Sequence, residues 1–338
     1  MSQTILITGG GGYIGSHAVK LFLEKGYQVV VFDNFLHGFH QALETLAQKY
    51  PSQLQVVAGD LRDRAAVAAL FDAHHLDAVL HFAALCSVNE SMLQPELYLD
   101  NNVIGSLNLL QEMQRHHVTT LVFSSTCAVY NGMTAPLPIT ESVPPDPLNP
   151  YGESKWMIER AIHWLARRHH WSYVIFRYFN VCGAASDGTL GDSKHPSVHL
   201  MQNAVRGAMG LEPFYLTFEP MDTPDGSPIR DYVDVEDLVQ AHFLAYEYLA
   251  AGGQSDTFNL GNGTGYSVLE IAEAVEKEFG VTLSREPSRE KRTGESARAF
   301  ADPSHVRDVL GWQPQKSLQD SIRSLRTWYE NKPQGWTQ

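Results

Sequence analysis

The residues best able to do chemistry in this chain are a phenol and an ammonium four positions apart. They are Tyr151 and Lys155, in the stretch Asn149-Pro-Tyr-Gly-Glu-Ser-Lys155. A loop containing Pro144, Pro145, Pro147 and Pro150 delivers the chain to a helix start there. Residues four apart on a helix share a face, so the two side chains point the same way. Tyrosine is a poor base, because its ordinary pKa is about 10. A neighbouring ammonium favours the phenolate, and a further positive charge beside it would make the phenol usable as a general base near neutrality. Upstream, Ser124-Ser125-Thr126 ends an apolar run, and the Thr126 hydroxyl could bridge the tyrosine and a reacting substrate oxygen. A tyrosine and a lysine on a helix surface are ordinary by themselves. What raises them is the start of the chain.

Ile5 to Ile7 form a short uncharged apolar run, followed by Gly9, Gly12 and Gly15 and then by an amphipathic pattern at Ile14, Ala18, Leu21 and Phe22. A buried parallel strand that turns through glycines into a helix is an anion site. Backbone N–H groups point out of the turn, the helix dipole adds positive charge, and missing Cβ atoms let a diphosphate come close. The spacing is Gly-x-x-Gly-x-x-Gly rather than Gly-x-Gly-x-x-Gly. A second apolar run, Gln28 to Phe32, ends in Asp33. A carboxylate there accepts hydrogen bonds from a ribose 2′-hydroxyl and repels a 2′-phosphate, which points to NAD rather than NADP. The nicotinamide ring then supplies the further positive charge that Tyr151 needs.

These groups need a scaffold, and the chain predicts one. Strand-like runs recur at Leu54–Gly59, Ala78–Ala84, Thr120–Ser124 and Tyr173–Tyr178, with helical stretches between them. That alternation predicts an α/β fold, a doubly wound parallel (Rossmann) sheet with right-handed crossovers. Several runs end in small or polar residues, as ligand-facing carboxyl ends should: Gly59-Asp60-Leu61, His81-Phe82-Ala83-Ala84 and Ser124-Ser125-Thr126. His81, inside an apolar run, reads as a satisfied core histidine. After Asn180 the rhythm breaks into a stretch rich in Gly, Pro, Asp and Ser, with one helix near Val198–Gly210. Val233–Leu249 reads as a helix and Thr257–Leu260 as a strand. The expected division is a dinucleotide-binding domain over 1–180, to which residues about 231–262 return. A smaller C-terminal α/β lobe over 181–338 then recognises the substrate.

Composition removes other classes. Hydrophobic residues make up 43% of the chain, yet no run is long enough to span a membrane. A net charge of −13 argues against nucleic acid and anionic lipid as partners. The first strand opens so early that no leader is expected. Cys86, Cys127 and Cys182 are odd in number and lack metal-ligand spacing, which suits a reducing cytoplasm. The doublets His74-His75, His116-His117 and His169-His170 diverge on any regular element and read as solvated helix ends, so no metal is expected.

The three motifs together, Gly9-x-x-Gly12-x-x-Gly15, Ser124-Ser125-Thr126 and Tyr151-x-x-x-Lys155, resemble the extended short-chain dehydrogenase/reductase superfamily. Asp33-Asn34, Gly59-Asp60-Leu61, Asp100-Asn101-Asn102-Val103, Arg177-Tyr-Phe-Asn180, Arg230-Asp-Tyr-Val233 and Phe258-Asn-Leu-Gly261 narrow the resemblance to the UDP-glucose (UDP-galactose) 4-epimerase family, over the whole chain. The resemblance implies an NAD site lined by Tyr13, Ile14, Asp33, Asn34, Asp60 and Leu61, and by Phe82, Ala83, Ala84, Asn101, Ser124 and Tyr178. Lys155 would sit on the nicotinamide ribose. Asn180, His199, Leu200, Phe218, Arg230 and Arg292 fall where the family holds UDP, with Glu295 near the nucleotide. Arginines there suit a diphosphate, because the planar guanidinium makes paired charge-assisted hydrogen bonds.

The implied reaction removes the proton of the sugar 4-hydroxyl through Tyr151 while NAD takes up the 4-hydrogen, turns the tethered 4-keto sugar over, and returns the hydrogen to its other face. Ala299 falls where family members restricted to glucose and galactose have a tyrosine, which predicts activity on N-acetyl sugars too. The family commonly forms homodimers. Two positions depart from its pattern. Cys86 stands where many members have a lysine that reaches the cofactor, and Asn131 stands where glycine is usual. A dehydratase or decarboxylase of the same superfamily is the alternative enzyme, although Cys127-Ala128-Val129 after Thr126 lacks the acids that dehydration needs. A non-catalytic NAD sensor is the alternative without chemistry.

Overall fold

The computed structural model describes residues 3–194, 197–216, 218, 220–285 and 296–337. In chain order the first half runs β1 (Thr4–Thr8), α1 (Tyr13–Glu24), β2 (Gln28–Asp33), α2 (His40–Lys49), β3 (Leu54–Ala58), α3 (Arg64–Ala73), β4 (Ala78–His81), α4 (Val88–Leu93), α5 (Pro95–Tyr98), a π-helix (Leu99–Ile104), α6 (Gly105–Arg115), β5 (Thr120–Thr126), α7 (Pro150–His169) and β6 (Ser172–Tyr178). The second half runs β7 (Asn180–Cys182), α8 (Leu200–Ala208), β8 (Tyr215–Leu216), β9 (Ile229–Asp234), α9 (Val235–Ala250), β10 (Asp256–Leu260), β11 (Gly265–Ser267), α10 (Val268–Phe279), β12 (Ser284–Arg285), β13 (Arg298–Ala299), α11 (Ser304–Leu310) and α12 (Leu318–Asn331).

Seven strands form one parallel sheet in the order β10-β6-β5-β4-β1-β2-β3. Apolar residues of a doubly covered sheet alternate between two cores, and they do so here. Ile5, Ile7, Val29, Val31 and Phe176 pack under α1 and α9. Leu6, Val30, Phe32, Val79 and Phe123 pack with side chains of α3, α6 and α7 on the other face. The first core continues without a break into the second half through Val181, Met201, Tyr232 and Trp328. The expected doubly wound sheet is therefore the architecture of the chain. A second, smaller sheet has the order β11-β9-β13, with β7 also pairing β9. Of the stretch 231–262, β10 extends the first sheet beside β6, whereas β9 belongs to the second.

Helix starts carry their own signals. Asp63 caps α3 by accepting from the backbone N–H groups of Ala65 and Ala66, and Ser267 with Glu270 forms a capping box on α10. The three histidine doublets all fall at helix C-termini, those of α3, α6 and α7. Among the described residues, no helix is long and apolar enough to cross a membrane.

Candidate active site

In the large sheet the order runs outward from β1 in one direction and from β4 in the other. The crevice at that reversal, at the carboxyl ends of the strands, is where open α/β sheets receive ligands. A cleft of about 1100 Å³ opens there and extends to the second sheet. The glycine turn after β1 forms its floor. Gly9 has φ +73°, and a Cβ on it would lie 2.6 Å from the Ala83 nitrogen. Gly12 starts α1, and no side chain caps the helix's first turn, so its N–H groups are left for an anion. At the end of β2 the Asp33 carboxylate accepts from the Gly11 N–H at 2.8 Å and the Phe35 N–H at 2.8 Å. Burial pushes its pKa upward, and those two N–H groups oppose the shift. Each of its oxygens keeps a second lone pair.

Past β3, Asp60 accepts from Asn34 Nδ2 at 3.0 Å and from Arg62 Nη2 at 2.8 Å. The guanidinium of Arg62 holds this carboxyl well below the usual range. The π-helix brings Asn101 to the cleft. Its neighbour Asn102 is fully buried, donates to the Leu85 carbonyl at 3.0 Å and to Ser154 Oγ at 3.0 Å, and accepts from the Leu85 N–H at 2.9 Å. This residue ties the loop after β4 to α7. Free N–H groups at a helix start with a carboxylate at the end of the next strand fit a dinucleotide: the first suit its diphosphate, the second a ribose.

Asn149 caps α7 by accepting from the Gly152 N–H at 2.8 Å, and Pro150 occupies the first helical position. That start aims Tyr151 and Lys155 at the cleft. Lys155 Nζ donates to the Ser124 carbonyl at 2.8 Å and lies 4.9 Å from the centre of the Phe123 ring. Burial lowers its pKa to about 8, while Cys86 and Glu159 act in the other direction. Burial raises the Tyr151 phenol well above its ordinary value, and a hydrogen bond with the Thr126 hydroxyl works against that rise. The Tyr98 ring meets Tyr151 edge-on, with centroids 6.3 Å apart. His81, below the site, is bonded to Thr8 Oγ1 at 2.7 Å and Ser106 Oγ at 2.8 Å. Burial brings its pKa down to about 3, so it is a neutral, satisfied core residue.

On the opposite wall, Asn180 Nδ2 donates to the Asp231 carbonyl at 3.2 Å. His199 precedes α8 and packs against the Tyr13 ring, with centroids 5.6 Å apart, and Leu200 opens the helix. Arg230 on β9 stands in register with Ala299 on β13. Nearly all the residues singled out from the sequence meet in this one cleft. Ser124 lies beneath it, with its carbonyl on Lys155 and its hydroxyl on His242 Nε2 at 3.2 Å. Phe218 does not line the cleft. Arg292 and Glu295 lie outside the described residues. Three residues with clear local roles went unassigned. Asn102 and Tyr98 brace the loop after β4, and Asn102 sits inside a motif already noted. Lys194 lines the cleft from the second half of the chain, and no spacing announced it.

Comparison with known proteins agrees with this geometry. The NAD dependent epimerase/dehydratase family matches residues 5–261. The chain belongs to that family. Within the epimerase/dehydratase family, it is 41% identical to the UDP-glucose 4-epimerase of Halalkalibacterium halodurans, over 99% of this chain and 98% of that one. The crystal structure of the UDP-glucose 4-epimerase from Bifidobacterium longum, in complex with NAD+ and UDP, superposes with a TM-score of 0.92. It is 35% identical and covers 98% of this chain and 100% of its own. The UDP-Glc/GlcNAc 4-epimerase of Campylobacter jejuni superposes with a TM-score of 0.83 at 36% identity, over 98% of this chain and 100% of its own.

Proposed function

We propose that the chain is a UDP-glucose 4-epimerase that interconverts UDP-glucose and UDP-galactose with bound NAD. The observation that carries the reading is Tyr151, on one helix face with Lys155 and on one cleft wall with Thr126, placed where the dinucleotide half of the cleft meets the second sheet. In this reading Tyr151 takes the proton of the sugar 4-hydroxyl and Thr126 holds the same oxygen. Lys155 keeps positive charge beside the phenol, because its lowered pKa of about 8 still leaves it mostly protonated at neutrality. NAD, when bound over the glycine turn with Asp33 on its ribose, supplies the acceptor and then the donor of the hydrogen at the fourth carbon. Asn180, His199, Leu200 and Arg230 take the UDP moiety, and Arg292 and Glu295 are assigned to it as well. Binding energy spent on UDP positions the sugar without gripping its ring, so that either ring face can be presented. The Cys127-Ala128-Val129 turn beside Thr126 offers no acid for dehydration, which favours epimerisation.

The same site extends to UDP-GlcNAc and UDP-GalNAc in this reading, because Ala299 puts a methyl group rather than a ring on the cleft wall opposite Tyr151. We assign residues 1–180, with α9 and β10 of the stretch 231–262, to NAD and the rest of 181–338 to the sugar nucleotide, and we place the enzyme in a reducing cytoplasm, consistent with three free cysteines. A homodimer is also proposed. Leu93 is 82% exposed, Trp164 62% and Met92 53%, with Met157 exposed on α7 beside Trp164 in sequence and Ile104 exposed on the π-helix. So much apolar surface on α4, α7 and the π-helix suits a partner of the same kind, and sedimentation equilibrium tests it.

The decisive experiment incubates the protein and NAD with UDP-glucose and with UDP-GlcNAc and identifies products by proton NMR. UDP-galactose is the expected product of the first. UDP-glucose left unchanged with NAD present overturns the proposal.

A further inference from the structure

Lys194 reaches into the cleft from the second half of the chain and ends against the first. Its Nζ lies 3.7 Å from the sulfur of Cys86, in the loop that follows β4. Both residues line the cleft. The backbone that leads into Lys194 is held at several points. The Lys194 N–H donates to Asp192 Oδ1 at 3.2 Å. The Asp192 carbonyl accepts from Trp328 Nε1 at 3.1 Å and from the Tyr329 hydroxyl at 3.3 Å. Ser193 Oγ accepts from the Trp336 N–H at 2.9 Å. Gly191 packs so closely that a Cβ there would lie 2.5 Å from the Trp328 ring. This is a preorganised lysine rather than a solvated one.

Among the described residues its ammonium has one hydrogen-bond partner, and a weak one. An ammonium has three N–H donors, and a thiol is a weak acceptor. Among the described residues, Cys86 Sγ is the one acceptor within reach of Nζ. Lys155, the other lysine on the cleft wall, already donates to the Ser124 carbonyl. A chain of net charge −13 whose cleft is to accept two diphosphates needs local cations, and among the described residues Lys194 is one of the two lysines on its wall.

We propose that Lys194 is a ligand-binding residue that donates to diphosphate oxygens in the cleft, so that a cation from the second half of the chain completes a site built by the first. The proposal rests on the 4-epimerase reading. Diphosphate oxygens come from NAD or from the sugar nucleotide, and the test separates the two. Titration calorimetry measures NAD+ and UDP binding, separately, to the wild-type chain, Lys194→Met and Lys194→Arg, with thermal unfolding recorded for each. Loss of a charged hydrogen bond weakens binding about 10- to 100-fold. Lys194→Met should show that loss for at least one ligand, with Lys194→Arg recovering part of it. A loss confined to NAD+ assigns Lys194 to the dinucleotide, and one confined to UDP assigns it to the substrate. If Lys194→Met does not fold, Lys194→Gln enters the same comparison under the same criteria. Affinities for both ligands within about twofold of wild type, in a folded variant, overturn this inference and leave the epimerase reading standing. A wild-type chain that binds neither ligand overturns the epimerase reading first.

Discussion

On the dinucleotide side of the cleft, most wall residues sit within a few positions of a strand end. Tyr13 follows β1, Asp33 closes β2, Asp60 follows β3, Phe82 to Ala84 follow β4, and Thr126 and Tyr178 close β5 and β6. On the opposite side, Ala299 lies on a two-residue strand, His199 precedes a helix, and Lys194 follows a loop bonded to a side chain of the last helix and to the backbone of the C-terminal turn. The first wall is held mainly by backbone ladders between strands. The second combines the short strands β7, β9 and β13 with loops held by bonds that reach across the fold. Chemistry that demands fixed geometry is placed on the first, and recognition of the variable part of the substrate on the second.

The largest expected effect tests whether the first wall is a scaffold independent of its chemistry. Tyr151→Phe removes one hydroxyl and leaves the ring against Tyr98, so unfolding and NAD binding should stay near wild type. Turnover should fall by about 10²–10⁴-fold, the usual worth of a general base. Steady-state rates with circular dichroism on the same sample decide it. Turnover near wild type removes Tyr151 from its role.

A second perturbation should do the reverse. Beneath the Tyr151 face, Arg177 Nε donates to Glu159 Oε1 at 3.1 Å, and Arg177 Nη1 donates to the Tyr130 hydroxyl at 2.9 Å. Tyr130 in turn donates to Asn259 Oδ1 at 2.9 Å, and Ser125 donates to Glu159. The network ties β5, β6, β10 and α7 together, with Arg177 and Glu159 both buried. Arg177→Met strands the Glu159 carboxylate, which costs about 3–5 kcal/mol of stability. Urea unfolding should show that loss. The double variant Arg177→Met with Glu159→Met should recover much of it, since removing both charges removes the stranded one. A stable Arg177→Met variant with poor turnover would mean that this wall is tuned for catalysis rather than braced.

The same contrast explains what the sequence disclosed. Periodicity and strand-end chemistry located the glycine turn, Asp33 and the ends of β3, β4 and β5, because there the deciding contacts are local or lie in neighbouring strands, and the family resemblance added Tyr13, Asn34, Asn101 and Tyr178. Errors were confined to ends. The run Ala78–Ala84 stops pairing as a strand at His81, after which the Phe82 N–H bonds back to the Thr8 carbonyl and the chain turns along the cleft. The run from Thr120 continues two residues further, to Thr126. Ser124 reads as a ligand contact in the sequence, yet its place in β5 turns it down into the core. Asn131, puzzling where glycine is usual, accepts from the Met133 N–H at 3.1 Å and donates to Asp146 at 2.8 Å, so its side chain closes the turn that glycine would leave open. Lys194 was not legible at all. The groups that fix its loop lie 136, 137 and 143 positions further along the chain, and no local pattern encodes them.

The smallest effect belongs to the second wall and concerns selectivity. Ala299 pairs in register with Arg230 on β9, and β13 is held there by that two-residue pairing and by the Ile229 N–H bonding to the Ala297 carbonyl at 2.9 Å. Its methyl group shares the wall with Ser296 and Gly132, two small neighbours, and a Cβ on Gly132 would lie 2.8 Å from Ser296 Oγ. In the proposed N-acetyl reading, the 2-acetamido group lies against this stretch of small side chains. Ala299→Tyr puts a ring there while leaving Tyr151, Thr126 and Lys155 untouched. Rejection by added bulk is worth about 10- to 200-fold in relative kcat/KM, the scale on which pockets discriminate by shape. Turnover of UDP-GlcNAc should therefore fall by that factor relative to UDP-glucose, measured as the ratio of the two rates on one preparation. The ratio matters more than either rate, because a general disturbance of β13 would lower both. Equal losses would mean that the second wall acts as one body and does not sort substrates residue by residue. A wild-type enzyme inert toward UDP-GlcNAc would mean that the space beside Ala299 is closed to N-acetyl sugars by something other than the residue at this position.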